Sequence, residues 1–220
     1  MSGLLARPAD ARALLVLAHG AGAGMEHPFM RAMADRLADR SVATLRFEFG
    51  YMAAGRRRPD RAPALVAAVR AAMDEAHERA GDLPLFAGGK SMGGRMTSTA
   101  QASEPRLTAP DGASPLRGLV FIGFPLHPAG KPGTERAAHL AEVDLPMLFV
   151  QGTRDALADL ELLRPVLAGL AAPVTLHIEE GADHGFHVLK RSGRTDEQVL
   201  DGIADAVTDW IDRRLEENAS

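Results

Sequence analysis

The sequence predicts an α/β domain, with a mostly parallel sheet of about six strands and helices on both faces. Two observations carry this expectation. Apolar runs of strand length recur at 13–19, 42–49, 83–88, 116–124, 146–152 and 174–180, with helix-length segments between most of them. Most of these runs, such as ALLVLAH and PMLFVQG, are near-continuous rather than alternating. Strands covered by helices on both faces read that way.

The helical segments are justified by spacing. MRAMADRLADR (30–40), PALVAAVRAAMDEAHERA (63–80) and SMGGRMTSTAQA (91–102) repeat apolar residues near the helical period. The closing stretch 195–217 begins with Thr195, a suitable N-cap ahead of Glu197 and Val199. Two stretches fit no regular element. Residues 104–115 are rich in Pro, Gly and Ser and read as a mobile surface loop; 125–139 hold three prolines, so at least their first half is expected to be irregular. No repeat or long linker appears, and residues 1–220 read as a single domain.

Composition narrows the classes. With 46% hydrophobic and 25% charged residues, the chain has the balance of a soluble globular protein. A net charge of -4 gives no reason to expect nucleic acid as a partner. The absence of cysteine excludes disulfides, thiol nucleophiles and Cys-ligated zinc. The first apolar run is too short to span a bilayer, and no signal-peptide layout precedes it. The expectation is a cytoplasmic enzyme with no membrane partner.

The stretch GGKSMGG (88–94) allows two chemistries. A phosphate-binding loop needs a glycine five positions before Gly89, where the chain has Pro84. The glycines at 20, 22 and 24 miss the dinucleotide pattern, because its third glycine would fall at Met25. The pentapeptide Gly89-Lys90-Ser91-Met92-Gly93 instead matches G-x-S-x-G, a serine on a tight strand-to-helix turn. Taken alone, this pattern leaves Ser91 equally readable as a plain helix N-cap. The later strands favour the nucleophile. Asp155 follows the fifth run and His184 the sixth, in the chain order serine, acid, histidine. All three then lie at the carboxyl edge of the sheet, where open α/β sheets place their sites. Asp155 would orient the imidazole, and His184 would carry the proton between Ser91 and the leaving group. An oxyanion hole is expected from the amides of Met92 and Ala21, with Gly22 as second choice.

The blocks LAHGAGAGMEHPFM, FEFGYMAAGRRRPDR, GGKSMGGRM, FPLHPAGKP, LFVQGTRDAL and GADHGFHVLKRSGR resemble the small α/β-hydrolase-fold family of the KANL3/Tex30 type. That family has many bacterial members and is distantly similar to dienelactone hydrolases. The resemblance runs through nearly the whole chain. It implies a minimal α/β-hydrolase fold without a large cap domain, and triad positions at Ser91, Asp155 and His184. It implies no substrate. Dienelactone hydrolases use a cysteine nucleophile where this chain has Ser91, so their reaction does not carry over. One eukaryotic branch serves in a histone-acetyltransferase assembly, which makes a non-catalytic binding or scaffold module the alternative to a serine hydrolase.

Other residues are weighed by location. His187 is a rival base, while Asp183 and Asp159 are rival acids. His19 is expected to bond loop backbone. Arg56, Arg57, Arg58 and Arg61 form a basic run, from which Arg57 is taken as a candidate for a substrate carboxylate or phosphate. Lys90 and Arg95 are expected to form structural ion pairs. Tyr51, Phe124, His127 and Lys131 are the remaining candidate substrate contacts. The histidines lack metal-ligand spacing, so neither metal nor cofactor is expected. The substrate expected is a small ester or thioester, and the sequence says nothing of oligomeric state.

Overall fold

The computed structural model describes residues 3–104, 106, 107 and 116–217. Its sheet has seven strands in the order β1-β3-β2-β4-β5-β6-β7. These are β1 (Leu4–Ala6), β2 (Ala13–Ala18), β3 (Val42–Phe47), β4 (Leu85–Lys90), β5 (Leu116–Ile122), β6 (Met147–Gly152) and β7 (Val174–Glu179). The six expected strands are present and all run parallel. The seventh, β1, pairs antiparallel with β3 at the edge. It is only three residues long, too short for a periodic signal.

The helices are α1 (Pro28–Ala38), α2 (Gly50–Ala53), α3 (Ala62–Ala80), α4 (Met92–Gln101), α5 (Leu160–Ala168) and α6 (Asp196–Glu217). Side chains alternate across a strand, and β2 shows why its run is apolar throughout. Ala13, Leu15 and Leu17 pack with Met33 and Leu37 of α1 and with Ile203, Val207 and Trp210 of α6. Leu14, Val16 and Ala18 pack on the other face, with Val69 and Met73 of α3 and Met96 of α4. Fully burying a Leu- or Val-sized side chain contributes roughly 1.5–3 kcal/mol. The cross-helix pairs Arg36–Asp201 and Arg40–Asp205 involve exposed carboxylates, and such pairs contribute about 1 kcal/mol or less. The buried faces therefore hold α1 and α6 to the sheet.

Helix α6 starts as the sequence suggests. The Gln198 amide donates to Thr195 Oγ1 at 3.2 Å and the Thr195 amide to Gln198 Oε1 at 2.9 Å, a reciprocal capping box. Within the 125–139 stretch, the second half enters a 3₁₀ segment at Glu135–Glu142. Most of the 104–115 stretch lies outside the described residues. Among the described residues, no helix is long and apolar enough to cross a membrane.

The strand order sets the site. From β2 the chain builds β3 on one side, then crosses back to place β4 on the other. The reversal leaves a crevice at the carboxyl ends of β2 and β4, the position where such sheets bind ligands. Because Ala18 of β2 pairs with Gly89 of β4, the loop after β2 stands directly beside Ser91.

Candidate active site

Ser91 sits between β4 and α4 at φ 51° and ψ -118°, a conformation that a non-glycine residue holds only when its surroundings enforce it. The surroundings are glycines. A Cβ on Gly89 would meet the Ala18 carbonyl oxygen at 2.2 Å, and one on Gly93 would meet it at 2.5 Å. The strand and helix approach too closely for any side chain there. Ser91 occupies the N-cap position of α4, yet its side chain makes no capping bond. Its hydroxyl instead donates to His184 Nε2 at 2.8 Å.

Behind the imidazole, His184 Nδ1 donates to Asp155 Oδ2 at 2.8 Å. The carboxylate can only accept, so the ring proton belongs on Nδ1 and Nε2 is left to accept from the serine. The Asp155 side chain is fully buried, while that of His184 keeps 26% exposure toward the cleft. Two further donors fix the carboxylate. Gln151 Nε2 donates to Oδ2 at 2.5 Å, and the Leu157 amide donates to Oδ1 at 2.8 Å.

β5 lies between β4 and β6, so the imidazole must reach Ser91 across its end. Gly123 makes room for this. A Cβ there would lie 3.6 Å from His184 Cε1 and 2.9 Å from Lys90 Nζ, and its φ of 69° also favours glycine. Gly152 does the same beneath the His184 loop, where a Cβ would meet the Ala182 carbonyl at 2.3 Å. Both glycines are visible in the sequence, but their purpose depends on what crosses above them.

The loop after β2 is held from β3 and the chain beyond it. His19 is buried, with Nδ1 2.8 Å from the Gly20 carbonyl and Nε2 accepting from the Phe49 amide at 3.2 Å. Burial pushes its pKa below the usual histidine value. The Gly22 amide donates to the Tyr51 hydroxyl at 3.0 Å, so that donor is already engaged. Among the described residues the Ala21 amide has no acceptor, and Met92 opens α4, where no intrahelical acceptor exists. Ala21 lines the same cleft as Ser91, and Met92 follows Ser91 directly in the chain.

A cleft of about 610 Å³ opens here, lined by Ala21, Lys90, Ser91 and His184. Phe29 and Met30 from α1, Phe186 and Leu200 give it an apolar wall. None of the five substrate contacts chosen from sequence lines it. Tyr51 and Phe124 are buried, the first bracing Gly22 and the second packing on Phe121 and Phe149. His127 Nε2 accepts from the Asp159 amide at 3.0 Å, so it braces the acid-bearing loop. Lys131 is exposed. Arg57 lines a separate open groove formed by residues 56–61, where Arg56 pairs with Asp60 at 2.7 Å. Aromatic and charged residues following strand ends cannot be sorted into wall, core and solvent without the packing.

The rivals are placed as well. Asp183 Oδ1 accepts from the amides of Gly185 and His187, shaping the loop that presents His184. Asp159 caps α5 through the Glu161 amide. His187 Nδ1 lies 2.7 Å from Asp196, whose hydrogen bond holds that histidine's pKa above its ordinary value. Among the described residues, no three His, Asp or Glu side chains converge as metal ligands. The sequence singled out neither Gln151, Gly123 nor the bond made by Lys90.

A parallel sheet with an edge antiparallel strand, bearing a serine on a strained strand-to-helix turn, defines the α/β-hydrolase class. The family model described as an alpha/beta hydrolase domain matches residues 11–212, and the chain belongs to that family. Similar solved structures share the fold. Est1E of Butyrivibrio proteoclasticus with bound ferulic acid superposes with a TM-score of 0.74 at 16% identity, covering 98% of this chain and 95% of that one. A dienelactone hydrolase of Anabaena variabilis gives 0.71 at 22% identity, covering 96% and 90%. A serine hydrolase without lid from Xanthomonas campestris gives 0.69 at 18% identity, covering 94% and 88%. Among the described residues of this chain, too, no large cap domain is present.

Proposed function

We propose that the protein is a serine hydrolase that cleaves a small ester or thioester through an acyl-enzyme, acting as one domain over residues 1–220. The observation that carries this reading is the hydrogen-bonded series from Ser91 through His184 to Asp155. Ser91 Oγ attacks the carbonyl carbon while its proton passes to His184 Nε2. The imidazolium is stabilised by Asp155, and the oxyanion by the amides of Met92 and Ala21. Collapse breaks the bond to the leaving alcohol or thiol, which takes the proton from Nε2. Water then repeats the sequence on the acyl-serine, releasing the acid and free Ser91.

The apolar wall and the lack of a large cap suit a short or aromatic acyl group, in keeping with the ferulic acid held by one structural neighbour. On its motif blocks we place the chain among the KANL3/Tex30-type members of the family. The test is Ser91→Ala against short p-nitrophenyl esters and acyl-thioesters, with fluorophosphonate labelling of the wild type. Loss of turnover by at least about a thousandfold and labelling at Ser91 are expected. Equal rates in mutant and wild type would refute the assignment. A folded protein that neither labels nor turns over would indicate the binding-module alternative.

A further inference from the structure

We propose that Lys90 is a positioning residue whose ammonium, at the edge of the cleft, ties down the His184 loop and so fixes the imidazole between Ser91 and Asp155. The inference rests on the hydrolase reading for its kinetic consequence, but the geometry stands by itself. Lys90 is the last residue of β4, adjacent to the nucleophile. Its Nζ donates to the main-chain carbonyl of His184 at 2.6 Å. The same ammonium lies 5.1 Å from the ring centre of Phe186 and 5.7 Å from that of Phe29. Those rings are stacked on each other with centres 6.0 Å apart, so the charge sits at a closed aromatic corner.

The loop needs such a tie. His184 follows β7 and must lean across the end of β5 to reach Ser91, 93 positions earlier in the chain. Its own turn is stiffened by Asp183, but those bonds are internal and do not fix the turn's distance from β4. Among the described residues, the Lys90 ammonium gives the His184 main chain its side-chain tie to the nucleophile strand. An ordinary ion-pair role does not fit, because no carboxylate lies within ion-pair distance of Nζ among the described residues. The bare Cα of Gly123 leaves the space that Nζ occupies.

The device carries a pH signature. Desolvation lowers the Lys90 pKa to about 8, opposed by the charges of Asp155 and Asp183. The other titratable groups around it are His184 itself, with His27, His187, Asp196 and Glu197 at the same cleft. Phe29 and Phe186 flank it without charge. Below about pH 8 the ammonium is charged, and the charge-assisted bond and the ring contacts are at full strength. Above it the neutral amine keeps only a weak donor.

The test compares wild type with Lys90→Met, which keeps the apolar stem, and Lys90→Gln, which keeps a donor without charge. At pH 7 both are expected to lower kcat on a short p-nitrophenyl ester by about tenfold, with KM changed less than about twofold. The advantage of wild type should shrink toward unity as pH rises through about 8 to 10. A role limited to apolar packing would give a gap that does not titrate. The downfield Nδ1–H proton resonance of His184 gives a readout independent of turnover. It should be present in wild type at pH 7 and broadened or lost in both variants. Either variant retaining wild-type kcat and that resonance while folded overturns the inference. So does a wild-type advantage unchanged across pH 8. Failure of the hydrolase reading would show separately, as a wild type no faster than Ser91→Ala, and the resonance would still decide the role of Lys90.

Discussion

Among the described residues two serine–histidine pairs sit at the same separation, and their surroundings differ. Ser91 Oγ lies 2.8 Å from His184 Nε2, and Ser98 Oγ lies 2.8 Å from His139 Nε2. The two serines are seven positions apart, one on the turn before α4 and the other inside that helix. Ser98 is fully buried and also donates to the Arg95 carbonyl at 2.9 Å. Among the described residues no carboxylate bonds His139; burial and the nearby Arg95 guanidinium push its pKa down to about 4. His184, in contrast, has Asp155 behind it and a cleft in front that its partner serine also lines. Hydrogen-bond distance alone therefore does not mark a nucleophile. The acid behind the imidazole, the donors ahead of it and access from solvent do.

The comparison can be broken most decisively at the serines. Ser91→Ala should abolish turnover, whereas Ser98→Ala should leave kcat within about twofold and cost about 1–3 kcal/mol of stability for two lost hydrogen bonds, one of which leaves His139 Nε2 unpaired. Equal loss in both would remove the distinction. Next comes the acid. Asp155→Asn should lower kcat by about 10³–10⁴-fold while leaving the fold intact, since the amide favours the wrong tautomer of His184. His139 has no such partner to lose.

A smaller effect is expected at the end of β5. Gly123→Ala forces a Cβ at positive φ against Lys90 and His184, and should lower kcat by about tenfold and stability by about 1–2 kcal/mol. Thermal melts and kcat together separate the two losses. The smallest effect on turnover belongs to the quiet pair. Because folding depresses the His139 pKa from 6.5 to about 4, the unfolded chain binds a proton between those values that the folded chain does not. Stability should thus fall as pH drops from 6.5 toward 4. The fall should be shallower in His139→Gln, measured by denaturant midpoints at pH 7 and 4.5.

Much of the site was legible in the chain. G-x-S-x-G at a strand end, an acid after a later strand and a histidine after the last one are local patterns joined by chain order. The capping box at Thr195 was equally local. The chosen substrate contacts fared differently, since Tyr51, Phe124 and His127 turn inward to brace loops or fill the core. Side chains of that kind are aimed by packing, and no period or motif encodes their direction.

The sequence by itself determined the six parallel strands, four of the helices and the three residues brought to the carboxyl rim. It could do so because periodicity and strand-end position are properties of short segments. Tertiary structure alone decided that Gly123 clears a path for the imidazole, that Gln151 clamps Asp155, and that Lys90 reaches the His184 carbonyl. The two longer-range links depend on which strands become neighbours and on what must pass over their ends. The Gln151 clamp spans only four positions, yet side-chain packing rather than a motif aims it at the carboxylate.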